Sequence, residues 1–386
     1  MGHEIAHIYR FSCLDCGEEM AVTLHVDYES ISTWVEEVEN AEAIKEDRDC
    51  KVLNIHANFV IPQEQRHEDL AFPHLPLMVA MAERGVKAGS VISAEDTKLR
   101  SNERPYRRPD FDAEWKLLKK AWSLHRRGKQ KLSDRLIEGA SAEFYANDPL
   151  KDIPDWIWRF ALFSTGIDYE PRFRAAMDVI KKPLHEGKLN DIITDLQSSA
   201  SERGEQYHSI IREYFSSWSE FSQVHFSVGS GIDTTHLSAK TSNFASIQMY
   251  YGNAFEMFGS MIDILTMINN VLAGRRFDQL SSISLAQYRA SDKGKRFDAP
   301  TENNVFADTC FERDNQLRNA SHHRELHYDQ ATGMVCYNVG KGGSGGLREM
   351  PYAEYLTKCS RLHHQIIVLL RIHLLLSEFA DATYPI

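Results

Sequence analysis

The chain has 386 residues, enough for two or three domains, and its hydrophobic and charged fractions of 42% and 26% are ordinary for a globular protein. Its 44 lysine and arginine residues against 55 aspartate and glutamate residues give a net charge of −11. This balance excludes a protein that coats nucleic acid through bulk positive charge, because such coating needs an excess of cations.

The cysteines and the N-terminus indicate the compartment. Six scattered cysteines without a disulfide-framework pattern are typical of a reducing environment. The first residues lack the basic and apolar segments of a signal peptide, and no apolar stretch is long enough to cross a bilayer. We therefore predict a cytoplasmic location and no membrane partner.

Residues 1–97 form the acidic part of the chain, with 19 acidic against seven basic side chains. The stretches 7–11, 20–26 and 51–61 are rich in apolar residues between turn signals and predict strands. The stretch 30–44 is acidic and amphipathic and predicts a helix. We expect a small α+β N-terminal domain over residues 1–97.

A Cys-x-x-Cys pair lies between the first two predicted strands, which is the arrangement of one half of a zinc ribbon. A second such pair is absent from the sequence, so a Cys3His set needs ligands from elsewhere in the domain. The predicted ligands of a structural zinc ion are Cys13, Cys16, Cys50 and His56, with His3 and His7 as alternatives. The competing interpretation is two reduced cysteines in a hairpin.

Residues 98–135 reverse the charge, with 13 basic against five acidic side chains. Tyr106, Trp115 and Trp122 are interleaved with the basic residues. Such a stripe can hold a phosphate backbone while its aromatic rings stack on bases. The alternative is a solvated helix face that neutralises the acidic N-terminal part. Because apolar residues recur at helical spacing from about residue 110, we predict a helical middle region over residues 98–244, with one strong helix at 205–224.

Residues 245–386 show the clearest periodicity and form the third predicted region. Apolar spacing predicts helices at 244–272, 308–318 and 352–379. Between the last two helices, alternating residues flank an Asp-Gln-Ala-Thr-Gly turn, which predicts a β-hairpin, and a glycine-rich loop follows it. The predicted fold class is therefore mainly α, with a C-terminal helical bundle that contains an inserted β-hairpin and a small α+β N-terminal domain.

The segment 317–323, Leu-Arg-Asn-Ala-Ser-His-His, ends the second of these helices. Arg318 offers a fixed positive fork to a phosphate, Asn319 adds an amide for orientation, and a histidine moves protons near neutral pH. His323 and His322 are alternatives for this role, because His322 lies on the face of Arg318 at i+4 if the helix continues. Spacing alone does not identify such a site, since cations are favoured at any helix C-terminus.

In its context this segment resembles the HEPN superfamily, whose members are small helical bundles with an R-x4-6-H motif in which a polar residue often follows the arginine. A helix, a hairpin and a long closing helix accompany the motif here. The segments 250–256, Tyr-Tyr-Gly-Asn-Ala-Phe-Glu, and 268–272, Ile-Asn-Asn-Val-Leu, resemble the first bundle helix of HEPN-like proteins from bacterial defence and abortive-infection loci. The resemblance covers about residues 245–380.

The resemblance implies a metal-independent endoribonuclease that uses no catalytic cofactor and produces a 2′,3′-cyclic phosphate and a 5′-hydroxyl. It also implies RNA as substrate, a homodimer formed through the C-terminal domain, and a role in antiviral defence or a toxin-like response. Carried over residue by residue, Arg318 and His323 are the catalytic pair, Asn319 is the adjacent polar residue, and Glu256 is the acidic residue that often faces the motif. The doubled histidine departs from the family pattern and keeps His322 as the alternative partner of Arg318.

Two other functions fit the same sequence. Many HEPN domains are inactive, so the C-terminal domain is alternatively a non-catalytic module that dimerises or binds RNA or a nucleotide. The third interpretation is a regulatory protein led by a zinc ribbon, in which the RNA site is incidental. Cleavage of RNA in EDTA separates the first two interpretations, and metal analysis of the purified protein tests the third.

Overall fold

The structure is a computed structural model, and it divides the chain into two compact units, Met1–His74 and Leu75–Ile386. The described residues are 6–13, 16–27, 32–42 and 111–386, apart from 147, 167, 232, 235, 236, 238, 242 and 341–344. The predicted domain boundary at residue 97 lies outside the described residues. The predicted boundary at residue 244 lies within the second unit, which contains both the helical middle region and the C-terminal region.

The described residues of the first unit form one three-stranded antiparallel sheet. Strand β1 (Ala6–Ser12) pairs with β2 (Glu19–Asp27), and β2 pairs with β3 (Ser32–Glu39). The first two strands confirm the two that were predicted on either side of the Cys-x-x-Cys pair. The strand predicted at 51–61 lies outside the described residues.

Strand β3 corrects the sequence prediction, which placed an acidic helix at residues 30–44. Trp34 and Val35 belong to the aromatic and β-branched types that favour a pleated, half-buried surface. Across the β2–β3 pair, the rings of His25 and Trp34 stack with 4.8 Å between their centroids, and His25 Nε2 lies 2.7 Å from Glu36 Oε2. Because these contacts require β2 alongside, cross-strand pairing outweighs the helical spacing of the isolated segment.

The second unit consists mainly of helices, which confirms the predicted fold class. The first seven described helices are α1 Phe111–Arg126, α2 Gln130–Phe144, α3 Ile153–Thr165, α4 Glu170–His185, α5 Asn190–Ser198, α6 Ala200–Ser216 and α7 Trp218–Gly229. The following ones are α8 Tyr250–Met261, α9 Asp263–Leu272, α10 Leu285–Ala290, α11 Asn304–Thr309, α12 Asn315–His322 and α13 Tyr352–Phe379. Short 3-10 turns lie at Phe244–Ser246, Lys293–Lys295 and Pro300–Glu302.

Helix α13 lies in the core of the second unit and packs against α3, α7 and α8. It confirms the predicted closing helix, and its side chains are buried around most of its circumference, as expected for a helix that is apolar on several faces. The same helix also buries three histidines and one arginine, namely His363, His364, Arg371 and His373. No helix in the described part of the chain is long and apolar enough to cross a membrane.

A buried carboxylate inside the second unit is paired with two arginines. Asp263, the first residue of α9, is 2% exposed and accepts hydrogen bonds from Arg203 on α6 at 3.0 and 2.8 Å. It also accepts a hydrogen bond from Arg289 Nε on α10 at 2.8 Å, and Arg289 Nη1 donates to Asp195 on α5 at 3.1 Å. One buried carboxylate therefore joins α6, α9 and α10, and Arg289 extends the network to α5.

Three predicted helices are interrupted in the structure. The helix predicted at 205–224 is two helices, α6 and α7, which meet at Ser217. The helix predicted at 244–272 begins as a 3-10 turn and continues as α8 and α9, and the one at 308–318 is split between α11 and α12. Because the helices on both sides of each break bury apolar residues in the same core, the apolar spacing alone does not reveal the break.

A small antiparallel sheet lies between α12 and α13. Strand β4 (His327–Asp329) pairs with β5 (Met334–Asn338), which confirms the predicted hairpin, and the Asp329 carboxylate accepts a hydrogen bond from the Ala331 N–H in the turn at 2.9 Å. Strand β6 (Leu347–Pro351) adds to β5 and was not predicted, because only one of its side chains is buried. Strand β5 packs against α12, so the sheet supports the helix that carries the motif.

Candidate active site

The predicted motif lies on α12, which has eight residues. The Asp314 carboxylate caps the helix by accepting hydrogen bonds from the backbone N–H groups of Gln316 and Leu317, at 3.0 Å each. Leu317 and Ala320 are buried and fix one face of the helix against the core. The motif side chains therefore lie on the remaining face, towards solvent.

The helix ends after His322, and His323 is its C-cap residue. The backbone N–H groups of the next two residues donate to carbonyls of the last helical turn at 3.1 and 2.8 Å, which is a Schellman motif. Arg324 takes its left-handed position with φ +59°, where glycine is usual. His322 is therefore helical and lies at i+4 from Arg318, whereas His323 lies just beyond the helix.

Arg318 is held by three oxygen-bearing side chains and is 17% exposed. Its Nε lies 2.7 Å from Glu256 Oε1 in an ion pair, its Nη1 donates to Asn319 Oδ1 at 2.7 Å, and its Nη2 donates to Asp292 Oδ2 at 3.4 Å. The guanidinium carbon also lies 5.6 Å from the centroid of the Phe255 ring. The structure thus brings together Arg318, Asn319 and Glu256, although Glu256 lies on α8 and is distant in sequence.

A second cation completes this cluster. Lys293 Nζ lies 3.2 Å from Glu256 Oε2, and Lys293 directly follows Asp292, whose other carboxylate oxygen accepts a hydrogen bond from the Gly294 N–H at 2.9 Å. Arg318, Lys293, Glu256 and Asp292 therefore form a cluster of two cations and two carboxylates. An incoming phosphate can replace a carboxylate in such pairs, because both present oxygens to the same donors.

Both candidate histidines are exposed at the end of α12. Their ring centroids are 5.8 Å apart and the ring planes are inclined by 76°. Within the described part of the chain neither imidazole forms a hydrogen bond or an ion pair. The two rings are therefore accessible to a substrate at the same helix end as Arg318.

The position of the helix end is fixed by its crossing with α8. Ser321 is fully buried, its Oγ donates to the Gln248 carbonyl at 2.7 Å, and it accepts a hydrogen bond from the Gly252 N–H at 3.0 Å. A Cβ atom on Gly252 would lie 2.9 Å from the backbone nitrogen of His322. Only glycine therefore permits this approach, and α8 sets the position of the motif.

We expect the substitution Gly252→Ala to destabilise the second unit by about 1–3 kcal/mol, because the added methyl group forces the two helices apart. The matched control is Gly139→Ala in α2, where a Cβ atom meets nothing within 4 Å. That control should be stabilising by up to about 1 kcal/mol, since alanine favours a helix. Urea unfolding measures both changes, and equal free energies of unfolding for the two variants would contradict the packing argument.

The Cys-x-x-Cys pair lies in the turn between β1 and β2, as expected for a hairpin. Cys13 is half-buried, Cys16 is exposed, and Gly17 has φ +78° and donates its N–H to the Cys13 carbonyl at 2.9 Å. Among the described residues, no group of three or more His, Cys, Asp or Glu side chains is placed to hold a metal ion. The other side chains of the zinc hypothesis lie outside the described part, namely His3, His7, Cys50 and His56.

In its described part, residues 111–135, the basic segment does not present the stacking platform that the sequence suggested. Trp115 and Trp122 are 2% and 0% exposed and pack in the core, and Tyr106 lies outside the described residues. Arg126, at the end of α1, forms an ion pair with Glu205. The interpretation that bases stack on these two tryptophans is therefore wrong, because the apolar face of α1 packs in the core.

Sequence reasoning missed several residues that build the site. Gly252 stands inside a helical pattern, which is a signal for close packing, but its partner was not predictable. Asp292 and Lys293 carried no signal, because they reach Arg318 and Glu256 only through the tertiary fold.

Comparisons with protein-family models, with curated proteins and with solved structures found no match to this chain.

Proposed function

We propose that the chain is a metal-independent endoribonuclease of the type that the HEPN resemblance implies. It would act on RNA in the cytoplasm as a homodimer formed through the C-terminal region, in antiviral defence or a toxin-like response. The observation that carries the proposal is a guanidinium held by neighbouring side chains on α12, with two exposed imidazoles one helical turn further along, at the C-terminal end of the same helix. The first unit would regulate this activity, with a structural zinc ion at Cys13 and Cys16 as part of the hypothesis.

In the proposed reaction, one imidazole takes the proton from the ribose 2′-hydroxyl, and the 2′-oxygen attacks the adjacent phosphorus. The bond from phosphorus to the 5′-oxygen breaks, and that oxygen receives a proton from an imidazolium. The products are a 2′,3′-cyclic phosphate and a 5′-hydroxyl. Arg318 stabilises the negative charge on the phosphorus oxygens, and Glu256 and Asn319 position its guanidinium.

His322 is the first candidate for proton transfer, because residues at i and i+4 of a helix have Cβ atoms about 5–6 Å apart. His323 is the second candidate, since it follows directly and its ring is equally exposed. The separation of the two rings also fits a division of labour in which one acts as base and the other as acid.

We expect Arg318→Ala to lower the rate of RNA cleavage about a hundredfold or more, the usual effect of losing one group that stabilises transition-state charge. The assay incubates purified protein with RNA in EDTA and measures 2′,3′-cyclic phosphate ends. The matched control is Arg276→Ala, an arginine that is 80% exposed and paired with Asp278, and it should cleave like the wild type. His322→Ala and His323→Ala in the same assay identify the proton-transfer residue.

Two results would overturn this proposal: wild-type protein that leaves RNA intact in EDTA, or an Arg318→Ala variant that cleaves as fast as the wild type.

One observation favours the second candidate function, a non-catalytic module that binds RNA or a nucleotide or that dimerises. Arg318 Nη1 and Nη2 already donate to oxygens, and Nε is ion-paired with Glu256, as in arginines with a structural role. Binding of RNA without cleavage would support that second function.

A further inference from the structure

A pocket of about 260 Å³ lies beside the end of α12. Leu326, His327 and Tyr328 line it from the chain that follows the motif, and Phe244 and Gln248 line it from the chain that precedes α8. Pockets for drug-sized ligands measure about 300–1,000 Å³, so this one suits a single ring system. None of its lining residues in the described part of the chain is a lysine, an arginine or a carboxylate, which favours an uncharged ligand.

One wall of the pocket is aromatic. The rings of Phe244 and Tyr328 stack on each other with 5.7 Å between centroids, and both are half-buried. Tyr352 supports them from the core, with its ring 5.3 Å from that of Tyr328 and its hydroxyl donating to Glu220 at 2.6 Å. These rings are therefore held in place before any ligand arrives, and a flat ligand can stack on them.

Among the polar side chains that line the pocket, which also include Thr241, His327 and Gln330, Gln248 offers an acceptor. Gln248 Nε2 donates to the carbonyls of Arg324 and Leu326, at 3.2 and 2.6 Å, and carbonyl oxygens only accept hydrogen bonds. Both amide hydrogens are thereby used, so the remaining atom of this side chain, Oε1, offers acceptor sites alone. A ligand that complements it carries an N–H group on its edge.

The pocket is joined to the motif by short connections. The Gln248 carbonyl accepts the hydrogen bond from Ser321, the residue before His322. Leu326 follows His323 by three residues, which span about 11 Å at most. A group bound in the pocket therefore lies within a few nucleotides of a phosphate at Arg318.

We propose that this pocket binds one nucleobase of single-stranded RNA, stacked on the outer Tyr328 face of the Phe244–Tyr328 ring pair and donating an N–H hydrogen bond to Gln248 Oε1. A base is flat, uncharged and edged with N–H donors, which matches the three properties of the pocket. The link to RNA rests on the proposed function, but base binding is measurable without cleavage. The pocket would select unpaired RNA, because a base inside a duplex cannot enter it.

The test measures the binding of short RNA by fluorescence anisotropy in a His322→Ala/His323→Ala background, which prevents cleavage. The probes are a short oligoadenylate and the same oligomer without bases. We expect Tyr328→Leu to weaken binding of the oligoadenylate about tenfold and to leave binding of the abasic oligomer unchanged. Tyr328→Phe, the matched control that keeps the ring, should bind both like the parent.

A second pair of probes tests the hydrogen bond. Replacing adenine by purine, which lacks the exocyclic amine, should weaken binding to the parent and not to Gln248→Met. The proposal is overturned if Tyr328→Leu binds both oligomers like the parent, or if it weakens both equally. If Tyr328→Leu loses base-dependent binding while the wild-type chain leaves RNA intact in EDTA, the base-binding proposal is supported and the nuclease proposal is wrong. Failure of one proposal can therefore be distinguished from failure of the other.

Discussion

Acidification from about pH 7.5 to about pH 4.5 is expected to destabilise the helical unit by several kcal/mol, because three buried histidines of α13 must stay neutral. Burial lowers the pKa of His364 to about 3 and the pKa values of His363 and His373 well below their usual range. None of the three forms an ion pair with a carboxylate within the described residues. The folded chain therefore excludes protons that the unfolded chain accepts.

The direction of this stability change follows from the linkage between proton binding and folding. A histidine whose pKa is lower in the folded state contributes stability that is present above the unfolded pKa of about 6.5 and is lost as the pH falls below it. Each such histidine loses up to about 1.4 kcal/mol per pH unit, so the three together lose several kcal/mol by about pH 4.5. Buried carboxylic acids return part of this loss, because burial raises the pKa of Glu114 to about 7 and raises those of Glu213 and Glu312.

The measurement is the free energy of unfolding by urea as a function of pH, followed by far-ultraviolet circular dichroism. His364→Leu is the informative variant, because it removes one titrating group from the core. Its stability should fall less steeply with acid, by about 1.4 kcal/mol per pH unit between about pH 6 and pH 4.5. Parallel pH profiles for wild type and variant would contradict the account, whatever their absolute stabilities.

Asp263→Ala is expected to destabilise the second unit by about 3–5 kcal/mol, because it leaves the buried Arg203 without its carboxylate. Asp263 is 2% exposed and Arg203, its partner on α6, is only slightly exposed. Arg289 keeps Asp195 as a second partner, whereas Arg203 has no other carboxylate among the described residues. The uncompensated charge of Arg203 therefore carries most of the cost.

Thermal or urea unfolding compares this variant with Asp278→Ala, which breaks an exposed pair with Arg276 and should cost about 0–1 kcal/mol. Asp263→Asn keeps an oxygen acceptor and should lie between the two. If Asp263→Ala and Asp278→Ala unfold with equal free energies, the buried network does not stabilise the unit.

The sequence predicted elements whose signal is local. Helix α13 is long and strongly apolar, and the β4–β5 hairpin is marked by its turn residues, so both were found. Strand β3 was missed, because its acidic residues and spaced apolar residues also fit a helix, and only pairing with β2 decides between them. The breaks at Ser217 and Ile262 were missed, because the apolar spacing continues across them.

For the candidate site as well, the sequence indicated the residues of the motif but not most of the contacts that they make in the fold. The motif on α12 was visible as a run of residue types, and the resemblance pointed to Glu256, which lies 2.7 Å from Arg318 in the structure. Asp292 and Lys293 lie in a separate 3-10 turn, and no pattern linked them to the motif before the fold was known. Trp115 and Trp122 were considered for base stacking because they lie among basic residues in the sequence. In the structure both lie on one buried face of α1.

The cluster of Arg318, Lys293, Glu256 and Asp292 holds equal numbers of cations and carboxylates, which has a consequence for how a phosphate would bind there. A phosphate that enters this cluster displaces protein carboxylates, whereas phosphates on an open basic surface release condensed counterions. Because counterion release is the source of salt-dependent affinity, the cluster itself adds little to the ionic-strength dependence of binding. Selection among anions then depends on geometry. Only an anion that fits the planar guanidinium of Arg318 better than the carboxylates of Glu256 and Asp292 can replace them.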